Sequence, residues 1–200
     1  MRRKDFEGES SGAGEILDRA EVGQLGLTDA EGWPRIIPVN FARDGGSIYF
    51  HGAAEGEKYT LLRNGARVTF LAYLAFSIIP SYWRSKDYAC PAGAFYKSVH
   101  IRGACSIVQS AQEKAAALNM IMEKYQPEGG YNKISADDPL YVKALQETVI
   151  FRVESGQVSV KGKLGQNLPP ETRRYLISKL LERNTGPDRI TADEMGKTLQ

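Results

Sequence analysis

Six segments of the sequence follow a period of two and are rich in β-branched and aromatic residues. In chain order they are QLGLT, RIIPVNF, SIYF, RVTFLAYLA, SVHIRGACSIV and TVIFRVESGQVSVKG. This period predicts strands. The turn Arg43-Asp44-Gly45-Gly46 suits a tight hairpin between two of them. Six strands in a mostly antiparallel order indicate a mainly β fold, either a small barrel or a sandwich.

Helices are expected beside these strands. A short one is predicted around Glu15 to Ala20. Ser110-Ala-Gln-Glu113 is a capping box at the start of a clear helix, which would cap an open end of the sheet or pack on its outer face. Asp138 is placed to cap a short helix that begins at Pro139.

Changes in composition divide the chain into three parts. Residues 1–13 are polar and rich in glycine and serine, so we expect a mobile N-terminal arm. Residues 14–164 form the main domain. Residues 165–200 are expected to form a helical extension: Pro169-Pro170 open a helix, Gly186-Pro187 stop it, and Thr191-Ala-Asp-Glu194 offers another capping box.

The charge balance argues against nucleic acid and membrane surfaces as partners. The chain has 26 basic and 24 acidic residues, a net charge of +2. It contains no stretch near the ~20 apolar residues of a membrane span, and its basic N-terminus lacks the apolar core of a signal peptide. We therefore expect a cytoplasmic protein. Cys90 and Cys105 are too few for a disulfide framework and lack a CxxC spacing, so both are expected to be reduced thiols.

The segment IYFHGAAEGEK (residues 48–58) runs from a strand through small residues into a short helix. Gly52, Ala53 and Ala54 leave the backbone accessible, so an oxyanion can approach the peptide N–H groups. The helix would begin near Gly56 and direct both its positive end and Lys58 at the same place. This layout predicts a phosphate-binding turn. The alternative is a plain strand-to-helix link with Lys58 on a solvated face.

The neighbouring strand PRIIPVNF (residues 34–41) is expected to be irregular or at a sheet edge. Pro38 cannot donate a hydrogen bond to a central ladder. The backbone groups of Val39, Asn40 and Phe41 would then be free to meet a flat polar ligand, such as the edge of a flavin ring. A simple edge strand is the alternative.

His51 and His100 are the only histidines, and neither has an Asp, Glu or Cys at metal-ligand spacing. A zinc site is therefore not expected. His51 stands at a strand end, where ligands are often bound. No Ser/His/Asp set or carboxylate pair supports acyl transfer or glycoside hydrolysis.

The motifs PVNF, YFHGA, EGEK and YKSV, in this order between Ile16 and Val160, resemble the flavin-binding split-barrel superfamily related to pyridoxamine 5′-phosphate oxidase. Within it the sequence is most similar to the nitroimidazole-resistance (Nim) type. The resemblance implies an α+β, mainly β fold: a six-stranded antiparallel Greek-key split β-barrel with flanking helices. It also implies a homodimer with FMN at the interface, on which the C-terminal extension could pack.

The resemblance also implies which residues bind FMN. Lys58 matches the phosphate-binding lysine, and the turn beside phosphate and ribityl is matched by His51, Gly52 and Ala53. The strand along the isoalloxazine ring is matched by Arg35, Pro38, Val39, Asn40 and Phe41. The segment that reaches FMN from the other subunit is matched by Ser98 and Val99.

Three departures separate this chain from the oxidase proper. Glu57 stands where the oxidase has an arginine beside the phosphate lysine, and Asn40 stands where it has a lysine. The C-terminal arginine and histidine motif that holds the oxidase's substrate is not visible. The resemblance therefore implies an FMN-dependent oxidoreductase other than the vitamin B6 oxidase. A nicotinamide donor would reduce the flavin and a small organic acceptor would take the electrons, with His51 orienting the acceptor or donating a proton.

The sequence leaves a second class of function open: a flavin or haem carrier, or a flavin-responsive regulator without turnover. The tail KLGQNLPPETRR resembles the KLSQN-type ending of some split-barrel proteins, including regulators. A basic cluster in the tail would support a regulator, although a solvated helix face is the alternative; its members are Arg173, Arg174, Lys179 and Arg183. His51 or His100 would be the ligand of a haem iron. The segment Ala75 to Phe95 is predicted to be a long ordered loop that controls substrate access or packs in a dimer.

Overall fold

A computed structural model describes residues 4–199 of the chain. Its strands are β1 (Glu7–Gly8), β2 (Gly23–Thr28), β3 (Pro34–Val39), β4 (Ala42–Asp44), β5 (Ser47–Ala53), β6 (Ala66–Ile79), β7 (Gly93–Ile107) and β8 (Thr148–Lys163). Its α-helices are α1 (Ala13–Arg19), α2 (Gly56–Leu62), α3 (Ala111–Tyr125), α4 (Pro139–Glu147), α5 (Pro170–Arg183) and α6 (Asp188–Lys197).

The strands form one sheet in the order β3-β2-β6-β7-β8-β5-β4, and β1 pairs with β8. The pairs β1–β8, β2–β3, β2–β6, β4–β5 and β5–β8 are all antiparallel. The six predicted strands are present as β2, β3, β5, β6, β7 and β8. The predicted number is wrong by two, because β1 and β4 have two and three residues and are too short to show a period. The predicted hairpin joins β4 to β5, with Gly45 at φ +53°.

The chain divides into two compact units. Unit 1 contains the described residues up to Ile16, Tyr73–Val99 and the described residues from Ser159 onwards; unit 2 contains Leu17–Ala72 and His100–Val158. Strands β6, β7 and β8 contribute residues to both units. The predicted domain limits at residues 13 and 164 divide the chain differently and stay predictions.

The core of unit 2 contains two pairs of aromatic rings. Phe41 and Phe70 meet edge to face at 4.9 Å, and Phe50 and Phe151 stack at 5.1 Å between ring centroids. Helix α3 packs its Ala117 against the buried Tyr49 of β5 and Ile150 of β8. The expectation that this helix packs on a sheet face is therefore met within unit 2.

The core of unit 1 joins the C-terminal helices to strand residues. Leu176 and Leu180 of α5 and Met195 of α6 are fully buried against Phe76 of β6 and Phe95 of β7. The tail is thus helical and packs on the ends of two sheet strands.

The sequence predicts four helix starts from cap or proline signals, at Ser110, Asp138, Pro170 and Thr191, and three of them agree with the structure. Ser110 Oγ accepts a hydrogen bond from the Glu113 N–H, and Asp138 caps the Leu140 N–H. A helix begins at Pro170 as predicted. The proposed cap at Thr191 is wrong, because α6 already begins at Asp188, whose carboxylate accepts from the N–H and hydroxyl of Thr185.

Two segments have more regular structure than the sequence predicts. Where a mobile arm was expected, residues 4–12 form two 3-10 turns and β1, and Phe6 is buried. In the predicted long loop from residue 75 to 95, β6 continues to Ile79, a 3-10 turn follows, and β7 starts at Gly93. The irregular connection is therefore shorter than expected.

Candidate functional site

Lys58 lies in the first turn of α2, which follows β5 after a link of two residues, and the sequence predicts a lysine at the start of this helix. Its Nζ donates a hydrogen bond to the carbonyl oxygen of His51 at 3.1 Å. It also lies 5.7 Å and 5.9 Å from the ring centroids of Phe50 and Phe151. The side chain therefore folds back across the turn, where one carbonyl and two aromatic faces support its positive charge.

Gly52 makes this position of Lys58 possible. A Cβ atom at Gly52 would lie 2.8 Å from both Cε and Nζ of Lys58. Real Cβ atoms do not approach other atoms so closely, so any larger residue would push the ammonium group away. The glycine of the HGA motif thus provides the space in which the lysine lies, and His51, Gly52, Ala53 and Lys58 form one local group.

Glu57, the neighbour of Lys58, is paired with another cation. Arg35 Nη2 on β3 lies 2.7 Å from Glu57 Oε2. Both side chains are about half exposed, so the pair contributes little to stability. The pair matters for the electrostatics of the site. Arg35 neutralises the charge of Glu57, the residue that stands where the oxidase has an arginine. Lys58 therefore has no carboxylate partner among the described residues.

The environment shifts the pKa values of both basic groups in this turn. Partial burial lowers the pKa of Lys58. The pKa of His51 is also lowered, first because neighbouring protein atoms partly desolvate the ring and then because of the charge on Lys58. His51 remains exposed to solvent. Its imidazole is therefore neutral at pH 7, where Lys58 is the cation of the turn.

Strand β3 is the edge strand that Pro38 predicts, since it ends the strand order. The expected free backbone groups are present only in part. The Phe41 N–H donates to the Tyr125 hydroxyl at 3.0 Å, and that hydroxyl donates to the Glu21 carbonyl at 2.7 Å. Val39 and Phe41 bury their side chains, whereas Pro38 and Asn40 stay exposed. A flat ligand could meet only the second pair.

A residue that the sequence analysis did not single out lies opposite Pro38. Gln24 on β2 is opposite Pro38 in one ladder and opposite Leu71 in the other. Its Oε1 is shielded from water and accepts no hydrogen bond from the described residues. Such an acceptor is uncommon in proteins and marks a place where a donor is expected. The QLGLT pattern predicts a strand but does not reveal an acceptor without a partner.

Ser98 and Val99 belong to unit 1, on β7, and not to the group around Lys58. Val99 is fully buried and Ser98 is partly buried. The resemblance assigns both to the FMN of a second subunit. That assignment stays a prediction.

The basic cluster of the tail does not present a uniform cationic face. Arg173 is buried and donates to the Met195 carbonyl. Lys179 pairs with Glu182, and Arg183 pairs with Asp188. These contacts favour a structural role for three of the four members, whereas Arg174 is exposed.

No helix in residues 4–199 is long and apolar enough to cross a membrane. In the same part of the chain, no three His, Cys, Asp or Glu side chains come together in a group that could hold a metal ion.

Comparisons with known proteins place this geometry in context. A family model described as pyridoxamine 5′-phosphate oxidase matches residues 10–162. No curated protein matches the sequence.

Three solved structures share the fold at low sequence identity. A candidate 5-nitroimidazole antibiotic resistance protein from Bacteroides thetaiotaomicron has a TM-score of 0.60 at 22% identity, covering 76% of this chain and 83% of that chain. The flavocytochrome Anf3 from Azotobacter vinelandii has a TM-score of 0.64 at 19% identity, covering 78% and 67%. A FAD and haem binding protein from Mycobacterium smegmatis has a TM-score of 0.61 at 17% identity, covering 78% and 71%. These matches confirm the α+β, mainly β split-barrel fold.

Proposed function

The chain belongs to the pyridoxamine 5′-phosphate oxidase family, and from this membership we propose that it binds FMN and acts as an NAD(P)H-dependent oxidoreductase on a small organic acceptor. The phosphate of the cofactor would be held at the turn around Lys58. The Nim-like resemblance of the PVNF, YFHGA and YKSV motifs favours an acceptor of the nitroaromatic type.

The observation that carries the proposal is the position of Lys58. The cation is half-buried, is held over Gly52 by the His51 carbonyl, and has no carboxylate partner among the described residues. Burial of a charged amine costs free energy unless an anion compensates it. A phosphate group would supply that charge. The Arg35–Glu57 pair supports the proposal further, because it reduces the repulsion between Glu57 and a bound phosphate.

The exposed side of β3 offers a place for the flavin ring. Pro38 and Asn40 are exposed there, and Gln24 Oε1 lies beside Pro38 without a donor. An oxidised isoalloxazine ring carries a single ring N–H. Gln24 Oε1 would accept a hydrogen bond from it only after the Gln24 side chain turns toward the ring, because this oxygen is shielded from solvent in the structure. Arg35, which the resemblance also places along the ring, would act mainly through its ion pair with Glu57.

When bound, FMN supplies hydride acceptance and electron transfer. The residues of this chain bind and orient. Because His51 is neutral at pH 7, it is suited to orient an acceptor by a hydrogen bond, and less suited to donate a proton.

We also propose a homodimer with FMN at the interface. In this arrangement Ser98 of one subunit would contact the cofactor held by Lys58 of the other. Val99, which is buried, would fix the backbone of the contacting segment.

Spectroscopy of the purified protein tests this function. We expect flavin absorption bands after loading with FMN, at one FMN per chain, and loss of these bands when NADH or NADPH is added without oxygen. Bands that persist with both donors would favour the carrier or regulator, and a Soret band would identify a haem protein. Absence of flavin binding in excess FMN would contradict the proposal.

A further inference from the structure

We propose that Lys124 is a modification site, whose amine accepts an acyl group from a small acyl phosphate such as acetyl phosphate. Lys124 lies in the last turn of α3 and lines a cavity of about 340 Å³ within unit 2. This volume is at the lower end of the range of ~300–1,000 Å³ that small-molecule sites occupy. The inference does not depend on the flavin proposal, because it concerns only the reactivity of this amine.

Two contacts hold the Lys124 amine in place. Its Nζ donates a hydrogen bond to the Leu17 carbonyl of α1 at 2.8 Å. It also lies 3.5 Å from the centroid of the Phe41 ring. Within residues 4–199 the amine makes no other hydrogen bond and no ion pair. An ammonium group has three N–H donors, so these partners satisfy its charged form only in part.

The charges on the far side of the cavity also disfavour the protonated amine. Asp18 of α1 and Arg43 of β4 both line the cavity. Arg43 Nε and Nη2 each donate to a different oxygen of Asp18 at 2.7 Å, so this carboxylate already has a cation as its partner. Burial lowers the pKa of Lys124 to about 8; Asp18 opposes this shift and Arg43 adds to it. At pH 7 about one amine in ten is therefore neutral, against fewer than about one in a thousand for a lysine in water.

Two further ionisable side chains of α3 lie near the amine. Glu123 lines the cavity and is exposed to solvent. The centroid of the Tyr125 ring lies 5.4 Å from Lys124 Nζ, and the Tyr125 hydroxyl donates to the Glu21 carbonyl at 2.7 Å. Neither side chain forms an ion pair with Lys124 among the described residues, so neither restores the stability of the charged form.

The acylated product fits the same surroundings. An amide N–H on Lys124 can still donate to the Leu17 carbonyl. The acyl chain would extend into the cavity, where Ala42 and Met120 offer apolar surface. The phosphate of the reagent carries negative charge, and Arg43 on the cavity lining attracts it. The size of the cavity favours a short acyl chain.

The reaction requires only the amine and the acyl phosphate. The lone pair of the neutral amine attacks the acyl carbon, and a C–N bond forms. The bond between that carbon and the phosphate oxygen breaks, and inorganic phosphate leaves with its electron pair. The surplus proton of the amine passes to solvent. A protonated amine has no lone pair to donate, so the rate follows the neutral fraction of Lys124.

The test is incubation of the full-length protein with acetyl phosphate, followed by peptide mass spectrometry that measures acetylation at each lysine. At pH 7 we expect Lys124 to react about tenfold faster than Lys143, which is exposed on α4 of the same unit. The Lys124 rate should level off above about pH 8, where its amine is mostly neutral. Equal rates at the two lysines, or a Lys124 rate that still rises above about pH 9, would overturn the proposal.

Substitution of Arg43 tests the role of the surrounding charges. Arg43→Gln removes a cation and leaves Asp18 without its partner, and both changes favour the protonated amine. The Lys124 rate at pH 7 should therefore fall about fivefold. Arg43→Lys keeps the charge and should react like the natural protein, and Arg67→Gln, which removes an exposed charge from the same unit, is the control. An unchanged or faster rate in Arg43→Gln would overturn the proposal. If that variant does not fold, the pH profile of the natural protein decides.

Discussion

Replacement of Lys58 by alanine is expected to weaken FMN binding roughly 10- to 100-fold, the range for losing a charge-assisted hydrogen bond worth about 1.5–3 kcal/mol. The Lys58 ammonium donates a hydrogen bond to the His51 carbonyl, and within residues 4–199 it makes no other hydrogen bond. The substitution removes no buried apolar group, so the protein should fold normally. Titration of flavin fluorescence with each protein measures the two dissociation constants.

Riboflavin, which lacks the phosphate, makes this experiment specific. The natural protein should prefer FMN to riboflavin, and Lys58→Ala should lose most of that preference while its riboflavin affinity changes little. Lys143→Ala is the control, since Lys143 is exposed and its one ion pair within residues 4–199 is with Glu147. If Lys58→Ala weakens both ligands equally, Lys58 does not act on the phosphate.

Replacement of Asp188 by asparagine is expected to lower the free energy of unfolding by about 3–5 kcal/mol, the range for breaking a buried ion pair. Its side chain is 1% exposed and lies 2.6 Å from Arg183 Nη2. It also accepts from Ser77 Oγ at 2.5 Å and from the Thr185 N–H at 2.9 Å. Asparagine has a similar shape but leaves the Arg183 charge without its partner. Urea unfolding followed by circular dichroism gives the difference.

The effect of Asp188 should depend on pH in a defined direction. The hydrogen bonds from Arg183 hold the pKa of Asp188 well below its ordinary value, with Ser77 and Thr185 adding to the effect and burial opposing it. A lowered pKa in the folded state means that the stabilisation is complete above the unfolded value of about 3.9 and is lost as pH falls below it. The difference between the natural protein and Asp188→Asn should therefore shrink in acid.

Asp193→Asn is the matched control for both experiments, because Asp193 is an exposed residue of the same helix. It should change the unfolding free energy by no more than about 0.5 kcal/mol. An Asp188→Asn protein as stable as this control would show that the Asp188 contacts do not hold α6 in unit 1.

The features that the sequence predicts correctly depend on local chemistry. The Asp44-Gly45 hairpin, the Ser110 and Asp138 caps and the start of α2 at Gly56 involve residues a few positions apart. The hydrogen bond from Lys58 to the His51 carbonyl also joins residues that are close in the sequence. Such signals operate before any tertiary contact forms, so one sequence is enough to find them.

The features that it misses depend on contacts between distant segments. The sequence pattern fits a capping box both at Thr185 and at Thr191. In the structure α6 begins near the first of these, where Asp188 accepts hydrogen bonds from the Thr185 N–H and from the distant Ser77 hydroxyl. Composition alone makes residues 4–12 look unstructured, but pairing with β8 and burial of Phe6 give them structure.

The candidate site shows the same division. The sequence identifies Glu57 as a departure beside Lys58. It could not show that Arg35 balances this carboxylate, because the two residues are 22 positions apart and meet only when β3 lies beside α2. The missing donor for Gln24 likewise becomes visible only when both ladders of β2 are formed.

A crystal structure of the protein loaded with FMN would test the central claim most directly. We expect a phosphate oxygen of the cofactor about 2.7–2.9 Å from Lys58 Nζ, the usual length of an ammonium-to-oxyanion hydrogen bond. We also expect the ring beside Pro38 and Gln24. FMN bound with its phosphate away from Lys58, for example against Lys161 and Lys163 in unit 1, would contradict the account.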